Sequence, residues 1–239
     1  MLFDTHVHSN PGSICSQVAL EEMPAIFNNA GYGGFMLTNH FYEKHLNMLG
    51  QDFKEQKENF ISIYRRLKEK SAEYGLKVLL GAEVKVTDER VDDSGLTSAF
   101  RPEFLLFGLT EKILLDAPPL FKFTQKELYE FAEDNGMMIY QAHPFRTAQG
   151  YYPADMRYTN GVEVFNGHPN FPAETERSLA LAKDNNKLQS AGSDMHVAFQ
   201  CGSAAMVLPD DIDDSTDLCA FLKTNTPKSL NAMEKRIVF

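Results

Sequence analysis

Asp4, His6 and His8 alternate along Leu2-Phe3-Asp4-Thr5-His6-Val7-His8. On a β-strand, residues two apart point to the same face, so one strand end aims a carboxylate and two imidazoles at a single point. That is how a protein holds a metal. Four more short apolar runs end in a ligand type. Gly34 to Asn39 leads into His40, Lys77 to Ala82 into Glu83, Met137 to Ala142 into His143, and Leu188 to Ser193 into Asp194, with His196 two residues on. The candidate ligands are therefore His6, His8, His40, Glu83, His143, Asp194 and His196. Imidazole and carboxylate together suit Zn²⁺, Mn²⁺ or Fe²⁺ without choosing among them. The set is larger than one tetrahedral ion needs, so two or three divalent ions are expected. Glu83 could bridge two of them, about 3.5–4 Å apart.

Other residues take supporting roles in this reading. Asp4 is expected behind the ligands, accepting a hydrogen bond from one imidazole and fixing its tautomer. Arg146, three residues past His143, would grip a phosphate or carboxylate through its planar fork. Lys85, Arg90 and Arg101 are weaker anchors of the same kind. His196 is the candidate to protonate a leaving alkoxide. His45 and His168 fall outside the pattern and read as surface residues. Cys15 reads as a small buried residue rather than a soft ligand.

The elements that must position these residues alternate in type. Helical patterns run from Leu20 to Ala30, with Pro24 tolerable only in a first turn, and from Asp52 to Tyr74, with Phe53, Phe60, Ile63, Tyr64 and Leu67 on one face. Thr124-Gln125-Lys126-Glu127 is a capping box opening another helix; Glu174 to Asn185 and Ser215 to Leu222 are two more. Between them lie the ligand-bearing runs, a ligand-free run Phe104 to Leu109, a period-2 run Gly161 to Asn166, and a short run Ala204 to Leu208. Val86 to Pro102 is polar and aperiodic and reads as a loop over the site. About seven β–α units with ligands at their C-terminal ends predict a parallel α/β barrel.

A chain of 239 residues, 43% hydrophobic, is enough for one such domain, residues 1–239, and shows no linker or repeat. A net charge of −10 argues against general nucleic-acid binding and leaves a small phosphorylated substrate as the expected partner. No apolar run approaches a membrane span. No signal peptide is expected, and three scattered cysteines suit a reducing cytoplasm. Nothing in the chain fixes an oligomeric state.

The motifs, in this order, resemble the PHP (polymerase and histidinol phosphatase) superfamily: Asp4-Thr5-His6-Val7-His8, Thr38-Asn39-His40, Gly81-Ala82-Glu83, His143-Pro144, and Gly192-Ser193-Asp194-Met195-His196. The resemblance spans the chain. It implies a distorted seven-stranded (β/α)7 TIM-like barrel with a dinuclear or trinuclear metal cluster and phosphoester hydrolysis as the activity. It also implies that His6, His8, Glu83 and Asp194 serve one ion, Glu83 and His143 a second, and His40 and His196 a third. There are departures. Phe104 to Leu109 lacks the family's strand-four His, Ser9 to Ser16 offers only Asn10, Ser13 and Cys15 where an Asp or His is usual, and Asn39 replaces an Asp. Two alternatives therefore stand beside the phosphoesterase: a metallohydrolase acting on an amide or ester carbon, and a degenerate, non-catalytic module.

Overall fold

The computed structural model describes residues 1–88, 90–91, 97–98, 101–146, 152–168, 174–225, 227–231 and 236–237. In chain order the elements are β1 (Leu2–Val7), α1 (Met23–Asn29), β2 (Gly34–Leu37), α2 (Glu43–Leu46), α3 (Phe53–Ala72), β3 (Lys77–Leu80), β4 (Glu83–Lys85), β5 (Arg90–Val91), β6 (Thr97–Ser98), β7 (Glu103–Phe107), α4 (Glu111–Asp116), α5 (Gln125–Asp134), β8 (Met138–Gln141), β9 (Gly161–Asn166), α6 (Thr175–Asp184), β10 (Leu188–Gly192), β11 (Ala205–Val207), α7 (Ser215–Thr224), β12 (Ser229–Asn231) and β13 (Arg236–Ile237).

Local signals act where the sequence placed them. Pro24 sits in the first turn of α1, where its missing N–H costs nothing. Thr124 and Glu127 form the reciprocal capping box of α5. The stripe on α3 buries Phe60, Ile63, Tyr64 and Leu67. Truncating a buried aromatic such as Phe60 would cost about 3–5 kcal/mol. Two short helices, α2 and α4, were not legible as periodic runs.

The expected closed (β/α)7 barrel is not what forms. The strands make two mixed sheets, ordered β13-β12-β11-β1-β2-β3 and β10-β9-β8-β7-β4, with β5 and β6 as a separate pair. Strand direction also reverses at β7, which pairs antiparallel with both β4 and β8, so its sheet is mixed rather than parallel. Among the described residues, no ladder joins the sheets edge to edge. They abut at two seams marked by isolated bridges, Val7–Met195 and His40–Glu83. Only two of the charged residues of the loop expected over the site, Asp88 and Arg101, are described with their side chains; Asp92 and Asp93 lie outside the described residues. No described helix is long and apolar enough to cross a membrane.

Candidate metal centre

Both seams carry candidate ligands. At the first, the Asp194 N–H donates to the His6 carbonyl (2.9 Å) and the His8 N–H to the Met195 carbonyl (3.1 Å). A Cβ on Gly192 would sit 2.3 Å from His6 Cβ, so β1 can approach β10 only because residue 192 is glycine. At the second, Phe41 N–H donates to the Glu83 carbonyl (2.7 Å) and Glu83 N–H to the Asn39 carbonyl (3.1 Å). The first seam binds one ligand's backbone to another's, and the second binds Glu83 to the residues on either side of His40, so the fold fixes their spacing.

All seven predicted ligands converge. His6 Nε2 lies 3.0 Å from His8 Nε2 and 3.5 Å from both Glu83 Oε1 and Asp194 Oδ1. His8 Nε2 is 3.3 Å from Asp194 Oδ1, and His40 Nδ1 is 2.7 Å from Glu83 Oε2. His143 Nε2 is 3.2 Å from Glu83 Oε1. Among the described residues, four groups offer ligand atoms within 4.8 Å of one another: His6, His8 and Asp194; His8, His40 and His196; Glu83, His143 and Glu103; and, at the mouth, Cys15, His40 and His45. Two of these residues, Asp194 (φ 54°) and His143 (φ 30°), are non-glycine residues at positive φ. Such backbone costs of order 1–3 kcal/mol and persists where the surroundings over-determine it, often at functional sites.

Glu103 was missed in the sequence, where its run was taken from Phe104. It opens β7, is buried, and puts Oε2 3.4 Å from His143 Nε2. Because β7 runs antiparallel, its start, not its end, meets the ligands. A carboxylate thus stands where the resemblance wanted a histidine, and an acidic residue heading an otherwise apolar run was the available signal.

The tautomers follow from the outer partners. His6 Nδ1 donates to Glu163 Oε1 (2.9 Å), which leaves an Nε2 lone pair facing the centre. His8 Nδ1 meets Ser13 Oγ (3.1 Å), whose proton goes to Asn39 Oδ1 (3.1 Å), and His196 Nδ1 donates to the Asp194 carbonyl (2.9 Å). Asp4 does not hold an imidazole. Its Oδ1 accepts the N–H groups of His6 (3.1 Å) and Ser193 (3.0 Å), bracing both motifs from behind, while Glu163 takes the role expected of it. Glu163 was visible only as one face of an alternating strand. His45 and His168, read as surface residues, are buried: Ile14 N–H donates to His45 Nδ1 (3.2 Å), and His168 Nε2 lies 3.2 Å from Gln200 Nε2.

Arg146 comes to the site too, but in a specific engagement. Its Nη2 donates to Asp194 Oδ2 (2.5 Å) and Asn166 Oδ1 (2.8 Å). Lys85 is held by Glu103 (2.7 Å) and lies over the Tyr42 ring. Cys15, exposed at the mouth, has its thiol hydrogen-bonded to His196 and His40. Burial raises that thiol, but those two imidazoles outweigh it and bring it down to about 6.

Does this arrangement fit divalent ions? Glu83, Glu103, Glu163 and Asp194 are all buried, with Arg146 paired to Asp194 and Lys85 to Glu103. Burying unbalanced charge is expensive, so such a cluster draws cations. Burial works against the His6 and His40 imidazoliums, yet Glu163, Asp194 and Glu83 hold His6 well above its usual range, and Glu83 lifts His40 to about 10. Burial pushes the Glu83 carboxyl up, but His6 and His40 outweigh it and hold it well below its usual range. Imidazoles and carboxylates gathered this closely are the mixed donor set that Zn²⁺, Mn²⁺ or Fe²⁺ takes.

Comparison with known proteins agrees on the architecture. Residues 172–227 match the family described as PHP-associated. No curated protein matches the sequence significantly. Among solved structures, PsfC from Pseudomonas syringae is similar over 98% of this chain and 92% of its own, at 18% identity and a TM-score of 0.67. A two-domain protein from Bacteroides vulgatus, containing a predicted PHP-like metal-dependent phosphoesterase, is similar over 97% of this chain at 18% identity and a TM-score of 0.64; this chain spans 65% of that one. A lesion-specific endonuclease from Pyrococcus furiosus is similar over 95% of this chain and 57% of its own, at 13% identity and a TM-score of 0.56.

Proposed function

Taking the chain as a PHP-superfamily protein, by its fold, its ordered motifs and its PHP-associated segment, we propose that it is a metal-dependent phosphoesterase acting on a small phosphate ester. The observation that carries the reading is the position of Glu83, within 3.5 Å of His6, His8, His40 and His143 at once. A carboxylate so placed can serve two ions, which two-metal hydrolysis of a phosphoester requires. We assign His6, His8, Glu83 and Asp194 to one ion, Glu83, Glu103 and His143 to a second, and His40 and His196 to a third. The cytoplasm is the compartment that suits the free thiols.

Bound divalent ions would supply Lewis acidity and lower the pKa of water towards ~7. The chain supplies the rest. Asp194 and Asn166 hold Arg146 at the centre, where its fork can take a non-reacting phosphoryl oxygen. His196, with its side chain 19% exposed, is the most solvent-reached of the site imidazoles, and its Nε2 can protonate the leaving alkoxide when it is not a ligand.

The test is protein reconstituted with Zn²⁺, Mn²⁺ or Fe²⁺ and screened against phosphate monoesters, short nucleic-acid phosphodiesters, amides and lactones. Metal-dependent phosphate release from a small ester is expected. Turnover of an amide or lactone alone would replace this reading with a carbon-centred hydrolase. Less than one ion per chain after reconstitution would leave a non-catalytic module. The endonuclease among the similar structures gives the phosphodiester arm its place, while the net charge of −10 weighs against it.

A further inference from the structure

The segment after β1 is built more tightly than its turn-rich sequence suggests. Ser13 N–H donates to the Ser9 carbonyl (2.7 Å) and Ser16 N–H to the Ser13 carbonyl (2.9 Å). Ser13 Oγ accepts the His40 N–H (2.9 Å), Asn10 Nδ2 donates to the Ser16 carbonyl (3.1 Å), Ser16 Oγ donates to the His8 carbonyl (3.2 Å), and Gln17 N–H donates to the His196 carbonyl (2.8 Å). Gly12 packs so closely on Asn39 that a Cβ would fall 1.9 Å from Nδ2. Cys15 is thus clamped on both sides to the segments that carry His8, His40 and His196.

The side chain at the end of this clamp meets imidazoles. Cys15, His40 and His45 offer ligand atoms within 4.8 Å of one another, as do His8, His40 and His196, and His40 belongs to both groups. The thiol contacts His40 and His196. His45 is not equivalent to the other rings. Its Nδ1 accepts the Ile14 N–H, so the neutral ring carries its proton on Nε2 and acts as a donor in this arrangement, not as a ligand. The donors left at the mouth are a thiol and two imidazoles.

We propose that Cys15 is a thiolate ligand of the outer metal position, together with His40 and His196, and that this position therefore selects thiophilic divalent ions. The proposal rests on the metal-dependent reading above. Sulfur and imidazole donors suit Zn²⁺, Co²⁺ or Fe²⁺ and disfavour Mg²⁺ and Mn²⁺, whereas Glu83, Glu103, Asp194 and the inner imidazoles are indifferent among several metals. On binding, the Cys15 thiol gives its proton to solvent and the thiolate neutralises one charge of the ion. His196 is then committed to the outer ion, and the leaving alkoxide takes its proton from water. His45 is a positioning residue: it holds the Ile14 backbone next to the thiol.

The test is reconstitution of wild type, C15S and C15H with Co²⁺, read by the near-ultraviolet thiolate-to-cobalt charge-transfer band and by metal content. It is combined with the rate of Cys15 alkylation by iodoacetamide in the presence of Zn²⁺ or Mg²⁺. Wild type should show the band. C15S should lose it and about one ion per chain, while C15H should lose the band and keep the ion, because an imidazole replaces the thiolate. Zn²⁺ should protect Cys15 from alkylation and Mg²⁺ should not. Cys201 and Cys219 are replaced by serine in the background so that the signal has one source. Full metal content with no thiolate band and unprotected Cys15 would overturn the proposal and leave the metal-dependent reading intact. Absence of any bound ion in wild type would overturn both.

Discussion

Glu163→Gln should damage the centre although Glu163 is assigned to no ion. Glu163 Oε1 accepts from His6 Nδ1 (2.9 Å), and Oε2 accepts from the His143 N–H (2.9 Å) and from Asn166 Nδ2 (2.9 Å). Asn166 cannot turn round to help, because its Oδ1 already accepts from Arg146 and from the His168 N–H. A glutamine therefore fails in both orientations. With its amide nitrogen towards His143 and Asn166, a donor faces two donors, at a cost of about 1–3 kcal/mol for groups left unsatisfied in the interior. With its nitrogen towards His6, the imidazole must accept at Nδ1, which moves its proton to Nε2 and removes a ligand lone pair. Outer partners of this kind typically contribute 10–100-fold in metal affinity, or about 1.4–2.7 kcal/mol. Metal affinity is read by competition with a chromophoric chelator, and the stability cost by denaturant unfolding in chelator. If the variant binds Zn²⁺ or Mn²⁺ within about twofold of wild type, the tautomer argument for His6 is wrong.

Glu83→Gln should remove more metal and more activity than His40→Ala, because Glu83 contacts four imidazoles and His40 stands at the periphery; the reverse order in metal content and hydrolysis rate would refute the assignment. Arg146→Ala, assayed at saturating metal because Arg146 also holds Asp194, should lower kcat/KM on the best phosphate ester through KM, by about 2–3 kcal/mol or roughly 30–150-fold. Arg146→Lys should recover only part, since an ammonium cannot reproduce the planar fork, and an unchanged kcat/KM in the alanine variant would exclude an anchoring role. Asp4→Asn tests burial at the back of the site: burial raises the Asp4 carboxyl from 3.8 to about 7. The folded chain thus keeps a proton that the unfolded chain releases, and wild-type stability falls as pH rises through that window. The asparagine lacks that loss, so its stability relative to wild type should improve from pH 4 to pH 8, by at most about 4 kcal/mol. Denaturant unfolding in chelator measures it, and a difference that does not change with pH would refute it.

The sequence alone determined which residues could be ligands and, for most, where on their strands they stand. Asp4, His6 and His8 share a face because side chains alternate along a strand, and His40, His143 and Asp194 follow apolar runs because parallel strands bury both faces. Helix ends were equally local: Thr124 and Glu127 cap α5 through bonds that span three residues. Tertiary structure decided what periodicity does not encode, namely the direction of a strand and the partner across a seam. An apolar run reads the same in either direction, so only the antiparallel pairing of β7 turned Glu103 towards His143 and made its sheet mixed rather than parallel. The acceptor for His6 came from β9, far along the chain, and Arg146 found Asp194 across the site. Such pairings depend on how two sheets meet, a long-range outcome that no local pattern of residues carries.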